Sequence, residues 1–474
     1  MGIQHMGNGN WLRQSRFERR LSQARLSRLT GIGQAVLSAY ELQKVEITAE
    51  HERSIQRVLE ELDRALRGRS TKDLFPKTRW SKDFGKGARS PRRLAISRPE
   101  IERFCGELQP QQRGNPSAPT AISLFSGCGG MTQGFVDAGF FVVGFAELSA
   151  DARDIFSANF PASKVLGTDV RAISDLEAAS WRRTFGEIDV IFGGPPCQGF
   201  SLTGKRDRWD PRNQLYKEFV RLVRIVKPRA FILENVRLLT SMKSPTGDSV
   251  QQMILEEFRS IGYTVSAKEL NAQDFGVPQF RERVFFVGLR DARPISFPEP
   301  THGESSPSLF GKCLAKRRTF RDAVGDLEPL ESGEQSKRDP LHFAVTHPQH
   351  VIEMLRHVPE GGSAHDNPDP LLRPRSGYNT TYKRLRWDEP CSTVGTTFGM
   401  ISGSRNVHPQ YTRSLTIREA ARCQSFPDYF RFFGAVGSIR TVIGNAVPPE
   451  LARVLGTRLI GALGNSRPNF EEAL

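Results

Sequence analysis

The chain has 474 residues, long enough for several domains and a sizeable core. Its formal net charge is +15, and up to Pro116 it carries 23 Lys and Arg against 13 Asp and Glu, which favours a polyanionic partner over a merely soluble basic protein. Its six cysteines form no CxxC pair, no apolar run approaches a membrane span and the N-terminus has no signal-peptide core. That excludes a disulfide framework, a CxxC-type zinc site and a membrane protein, and leads us to expect a soluble cytoplasmic protein with no metal.

Residues 12–66 have a helical pattern. Leu26, Leu29, Ile32, Leu37 and Tyr40 fall at core spacing, and Gly31 permits a turn between two short helices. "ITAEHERSIQRVLEEL" adds a helix with Ile55, Val58, Leu59 and Leu62 at i, i+3, i+4 and i+7. Spacing alone favours a small helical cap with no DNA role. The run "LSQARLSRLTGIGQAVLSAYE" (21–41) also resembles the helix-turn-helix of Cro/C1-type repressors. That resemblance implies an all-α DNA-binding domain over 1–66, with Gln34, Ala35 and Ser38 facing the major groove of an operator bound as a dimer. Residues 67–118, rich in Arg, Lys, Ser, Gly and Pro, read as a basic linker with room for one short helix.

From Thr120 onward, apolar runs alternate with amphipathic segments. The runs are "AISLF" (121–125), "FFVVGFA" (140–146), "IDVIF" (188–192), "AFILE" (230–234) and "VFFVGL" (284–289). Helices are expected around 130–138, 149–158, 213–226 and 248–260. Fully apolar strands alternating with helices predict an α/β fold whose parallel sheet is covered on both faces. From about Arg293 to Thr412 the alternation gives way to Pro-, Gly- and His-rich sequence, too long for one loop, so a smaller irregular domain is expected there.

"LFSGCGGMTQGF" (124–135) follows a strand and opens a helix. Gly127, Gly129 and Gly130 let the backbone turn tightly and approach a ligand. Glu147 closes the next apolar strand, at the place where doubly wound nucleotide sites bind ribose hydroxyls. Asp169 follows a third strand and is a candidate acceptor for an adenine amine. The bland alternative is a structural turn with two solvated acids. With no Walker lysine, a nucleoside without a triphosphate fits better.

In "GGPPCQGFS" (193–201), Cys197 sits past the carboxyl end of a predicted strand, on an approach stiffened by two prolines. "LENV" places Glu234 at the end of another strand. "QFRERV" places Gln279, Arg281 and Arg283 at period two, facing one way if the segment is extended. A thiol, a carboxylate and an arginine pair beside a nucleoside site make a plausible active site.

These blocks, in order, resemble the bacterial DNA (cytosine-5)-methyltransferase family: FxGxGG, PPCQ, ENV, QxRxR, then "RSLTIREAARCQSFPDYF" (413–430) and "GNAVPP" (444–449). The resemblance covers about three-quarters of the chain. Ser123, where many members carry an acid, and Cys391 in "WDEPCSTVGTT" depart from the pattern. The family implies a Rossmann-like methyltransferase fold, with the catalytic domain at 119–292, target recognition at 293–430 and a return to the catalytic domain at 431–474. It makes Cys197 the nucleophile at cytosine C6, Glu234 the holder of N3 and the exocyclic amine, and Arg283 the partner of O2, with Arg281 in support. Phe125, Gly127, Gly129, Gly130, Glu147, Asp169 and Asn445 become contacts of S-adenosylmethionine. In 413–430, Thr416 and Glu419 also form a T-x-x-E capping box, so a merely structural helix is a fair reading.

The implied function is site-specific methylation of a cytosine flipped from duplex DNA by a monomer, in a bacterial, nucleoid-associated restriction-modification setting beside a companion endonuclease, with an added regulatory role for the N-terminal domain. RNA methylation, or a regulator with a vestigial enzyme half, are the alternatives.

Overall fold

The computed structural model describes residues 11–12, 15, 26–27, 30–41, 45–65, 94–109, 115, 118–196, 215–244, 247–290, 294–304, 314–374, 380–402 and 405–464. The chain divides into two compact units, Met1–Arg89 and Ser90–Leu474. Among the described residues, no helix is long and apolar enough to cross a membrane.

In the first unit, helices α1 (Gln34–Glu41) and α2 (Ala49–Ala65) enclose a core of Leu12, Leu26, Ile32, Leu37, Tyr40, Ile55 and Leu59, with Val58 packed against it. Gly31 takes φ +75° just ahead of α1, a conformation that disfavours any side chain. Ser54 Oγ donates to Thr30 O at 3.2 Å and ties α2 to that turn. Leu29 and the side chains of Leu62, Gln34 and Ala35 lie outside the described residues; Ser38 is half-buried.

The second unit opens with strand β1 (Ala95–Ile96) and helix α3 (Arg98–Cys105). Strand–helix alternation follows: β2 (Thr120–Leu124), α4 (Gly130–Ala138), β3 (Phe141–Ala146), α5 (Ala150–Asn159), β4 (Lys164–Gly167), α6 (Asp175–Phe185), β5 (Val190–Gly193), α7 (Leu215–Val226) and β6 (Ala230–Val236). Helix α8 (Val250–Ser260) then precedes two long strands, β7 (Tyr263–Asn271) and β8 (Glu282–Arg290).

These strands form a seven-stranded sheet in the order β4-β3-β2-β5-β6-β8-β7. The expected all-parallel sheet is corrected here, because β8 runs antiparallel to both its neighbours. The short connection from β7 to β8 needs no crossover, which permits that reversal.

Alternation along the strands divides the core between the two faces. Val142, Val190, Phe192 and Ile232 enter one cluster, with Phe135, Phe156 and Leu459. Val143, Ile191, Phe231 and Leu233 enter the other, with Phe219, Phe258 and Trp181.

Beyond β8 come the short strands β9 (His302–Gly303) and β10 (Ala315–Lys316) and the helices α9 (Phe320–Val324) and α10 (Gln349–Arg356). After them come α11 (Ile417–Cys423), β11 (Gly434–Ala435), α12 (Val436–Asn445) and α13 (Pro449–Gly464). Phe320, Leu341, Leu385, Val394 and Phe398 of the irregular region join the first cluster. Val351, Met354, Leu355, Val358, Ile401 and Val407 form a satellite core of their own. Helix α13 lies close against α4, since Gly134 faces the carbonyl of Pro449 with no room for a Cβ.

Part of the stretch expected to be linker is built into this unit. Strand β1 pairs antiparallel with β11, Ile96 and Ile101 are buried in the first cluster, and Ser97 caps α3. Arg431 donates to Gly106 O at 2.6 Å, and Arg98 stacks 5.5 Å from the ring centroid of Phe433. The sequence hides this clasp because a two-residue strand and one short helix leave almost no periodic signal.

Around α11 lies a buried polar network. Thr416 and Glu419 form the capping box, and Arg413 donates both NH groups to the Glu419 carboxylate at 2.8 Å. Burial pushes the Glu419 carboxyl up, but the charge and hydrogen bonds of Arg413, with His408 and His342, more than offset it and hold it down to about 2. Burial lowers His408 to about 3, aided by Arg413 and opposed by Glu419. His347, lowered by burial and Arg413, stands at about 4.

Two outcomes follow. A chain beginning at Ala118 loses Ile96 and Ile101, each worth about 1.5–3 kcal/mol of burial. It is expected to melt several degrees below one beginning at Ser90, and equal melting temperatures would show the clasp to be dispensable. The second concerns pH. Both histidines have folded values below the ordinary 6.5, so their contribution is present above that pH and lost as pH falls toward 4 and 3; that of Glu419 is lost below about 4.5, toward 2. Melting temperature should therefore decline as pH drops below 6.5, and more shallowly in His408→Gln. An unchanged slope in that variant would remove His408 from the acid response.

Candidate active site

Strand β2 delivers the chain to the carboxyl edge of the sheet. There Phe125, Gly127 and Gly129 take φ +52°, +55° and +98°, and the chain reverses into α4. A left-handed phenylalanine costs of order 1–3 kcal/mol, a strain typical of ligand sites. Gly129 is closed in by Phe160, and Gly130 by Ala446 and the Val447 carbonyl, so packing demands glycine at both. Gly127 instead faces open space. Its N–H donates to Glu147 Oε2 at 2.8 Å, and Ser149 N–H donates to Oε1 at 2.8 Å. Two amides thus fix the acid that follows β3 beside the glycine loop. Ser123, where an acid is usual, is buried and accepts from Thr132 Oγ1 at 3.3 Å.

Leu148, 66% exposed, stands next to Glu147. Arg153 braces this turn by donating to the carbonyls of Glu147 and Leu148. Sequence reasoning missed Leu148; the available signal was an apolar residue directly after the acid that closes a strand.

Asp169 is engaged by its own chain. Arg171 donates to it from Nε at 3.0 Å and from NH2 at 2.6 Å, and these bonds lower the Asp169 carboxyl. Asn445, the last residue of α12, is exposed.

Strands β6 and β8 supply the second group. Arg283 Nε lies 3.0 Å from Glu234 Oε1, an ion pair largely shielded from solvent. Burial raises the Glu234 carboxyl above its ordinary value, against the pull of Arg283 and then Arg281. A Cβ on Gly194 would meet Glu234 Oε2 at 2.7 Å, and Asn235 Nδ2 donates to Pro195 O at 3.1 Å. The chain that leads toward Cys197 is therefore held alongside Glu234 as far as Pro196. Cys197 itself lies outside the described residues.

Gln279 and Arg281 are both buried and both reach Val394, with exposed Phe280 between them, and Arg281 is close enough to Arg283 and Glu234 to feel their charges. Only Arg283 pairs with Glu234. Arg281 is fully buried and donates to Val394 O at 3.2 Å and Gly444 O at 3.0 Å. Burial lowers its guanidinium well below the usual value, aided by Arg283 and opposed by Glu234. Gln279 donates to Cys423 O and Gln424 Oε1 and accepts from Val394 N–H. The regular strand starts at Glu282, but burial already alternates through Gln279, Phe280 and Arg281 ahead of it.

The profile of the C-5 cytosine-specific DNA methylase family matches residues 120–461. Type II methyltransferase M1.HphI of Haemophilus parahaemolyticus is 40% identical over 349 residues, covering 72% of this chain and 86% of its own length. Type II methyltransferase M.DdeI of Desulfomicrobium norvegicum is 35% identical over 377 residues, covering 71% and 88%. A solved structure described as a "putative DNA modification methyltransferase encoded within prophage" (E. coli) aligns with TM-score 0.56 and 26% identity, over 73% of this chain and 100% of that one.

Enzymes of this family take S-adenosylmethionine as methyl donor. The open side of Gly127, the braced Glu147 carboxylate and the exposed apolar Leu148 suit the nucleoside portion of such a molecule. Family match, relatives and fold agree: the chain belongs to the C-5 cytosine-specific DNA methylases and is a DNA (cytosine-5)-methyltransferase.

Proposed function

We propose that this enzyme methylates one cytosine within a specific duplex DNA sequence, by covalent catalysis through Cys197, as the modification half of a restriction-modification pair. The observation that carries the reading is the shielded Glu234–Arg283 pair at the sheet's carboxyl edge, against the Gly194–Pro196 segment that runs directly into Cys197. That arrangement suits a pyrimidine with polar atoms on one edge and an electrophilic carbon on the other.

The Cys197 thiolate forms a bond to C6, and the C5–C6 π pair becomes available at C5. Glu234, whose carboxyl is raised by burial against the pull of Arg283, holds N3 and the exocyclic amine and supplies the hydrogen bond or proton that stabilises the charge developing after attack. Arg283 donates to O2. S-adenosylmethionine supplies the methyl group, with Phe125, Gly127, Gly129, Gly130, Glu147, Asp169 and Asn445 as its contacts. Solvent water then takes the C5 proton, the C–H pair re-forms the C5–C6 double bond, and the S–C6 pair returns to sulfur, restoring the ring and freeing the thiolate. None of this can reach a stacked base, so the cytosine leaves the duplex.

Sequence readout is assigned to the region 293–412, with its satellite core under α10 as scaffold. The relatives are themselves named as Type II methyltransferases, which supports the pairing with an endonuclease. The first unit is assigned operator binding and transcriptional control, as a dimer, on its small helical core and its repressor-like sequence.

Cys197→Ser is expected to lower methyl transfer to DNA by on the order of a thousandfold or more, because a hydroxyl is a far weaker nucleophile than a thiolate. Affinity for S-adenosylmethionine should be unchanged. Near wild-type turnover by the purified variant would remove Cys197 from the mechanism.

A further inference from the structure

An exposed aromatic ring stands at the rim of the site with no role in the chemistry above. Phe280 is 44% exposed although both its neighbours, Gln279 and Arg281, are buried. Its backbone is pinned on both sides: its N–H donates to Cys391 O at 2.8 Å, and Thr393 Oγ1 donates to its carbonyl at 2.8 Å. With Gln279 and Arg281 turned into the protein, the ring between them is left toward solvent on a fixed support.

The location is specific. Phe280 lies three residues ahead of Arg283, the partner of Glu234. Because β8 runs antiparallel to β6, its start lies at the carboxyl edge of the parallel strands, where doubly wound sheets bind ligands. Among the described residues, Arg283 is paired with Glu234, and Arg237 with Glu282 and Glu269. A rigid ring among paired cations suits the face of a base better than a phosphate.

We propose that Phe280 is a stacking platform for an unstacked base of the target strand, either the cytosine or the neighbour it leaves behind. The proposal rests on the reading that the cytosine leaves the duplex. Base–aromatic stacking is sequence-tolerant and typically changes affinity by roughly 5- to 150-fold per base.

The test uses full-length protein and a duplex whose methylated position has first been located by bisulfite sequencing. Phe280→Ala should weaken DNA binding roughly 5- to 150-fold. The slope of log affinity against log salt should not change, since no phosphate contact is lost. Melting temperature and S-adenosylmethionine affinity should match wild type. Phe280→Trp should retain tight binding, and Phe280→Leu, apolar but without a π face, should fall with alanine.

Wild-type affinity in Phe280→Ala, a salt slope reduced by about 0.9, full binding by Phe280→Leu or a lowered melting temperature would each overturn the proposal. An abasic target site separates the two base sources: the wild-type/alanine difference disappears if the cytosine is the stacked base and persists if its neighbour is. Extrusion is read independently from wild-type enzyme, by brightening of 2-aminopurine at the target position. No brightening would sink the extrusion reading whatever the Phe280 variants do.

Discussion

A buried guanidinium ties the parts of this enzyme together. Arg281 makes its two side-chain hydrogen bonds to the carbonyls of Val394 and Gly444, which lie 113 and 163 positions away in sequence. Burying an unpaired charge is costly, and two carbonyl bonds offset only part of that cost. The adjacent Gln279 completes the junction through Cys423, Gln424 and Val394, and Gln424 Nε2 donates to Ile443 O at 2.6 Å. Four remote segments therefore meet at one place: the start of β8, the end of the irregular region, α11 and the end of α12. Gly444 lies so close to Gly395 and Thr396 that a side chain there has no room.

Both halves of the candidate site hang from this junction. Arg283 lies two residues beyond Arg281 and reaches Glu234; Asn445 follows Gly444 at the end of α12. The mixed sheet supplies the rest of the geometry. Reversing β8 brings its first residues to the edge where β2, β3, β5 and β6 end. The glycine loop, Glu147, Glu234 and Arg283 thus gather at one edge, although they come from strands scattered over some 160 residues of chain.

How much of this was legible in the sequence depended on the length of each signal. Five apolar runs marked five strands of the sheet, because strands buried on both faces leave an unbroken apolar signature. Strand direction left none, since "VFFVGL" reads the same whichever way it runs. Strand β7, "YTVSAKELN", escaped notice because it is an edge strand with polar and half-exposed positions. The T-x-x-E cap on α11 was readable because a cap is a local contract between two residues. The clasp of β1 and α3 was not, because its pairing partner lies more than 300 positions away. In "QFRER" the residue types and their spacing were informative, but that Arg283 pairs with Glu234 while Arg281 bonds two remote carbonyls is visible only in the fold. The exposure of Leu148 and Phe280 likewise exists only in the fold.

The central claim is that the Glu234–Arg283 pair receives a cytosine attacked by Cys197. The most direct measurement is trapping on substrate DNA carrying 5-fluorocytosine at the target position, followed by peptide mapping of the adduct. A fluorine at C5 cannot leave as the proton does, so one covalent protein–DNA species is expected, formed only with S-adenosylmethionine present and mapped to Cys197. An adduct at another residue, or none under conditions where ordinary cytosine is methylated, would contradict it.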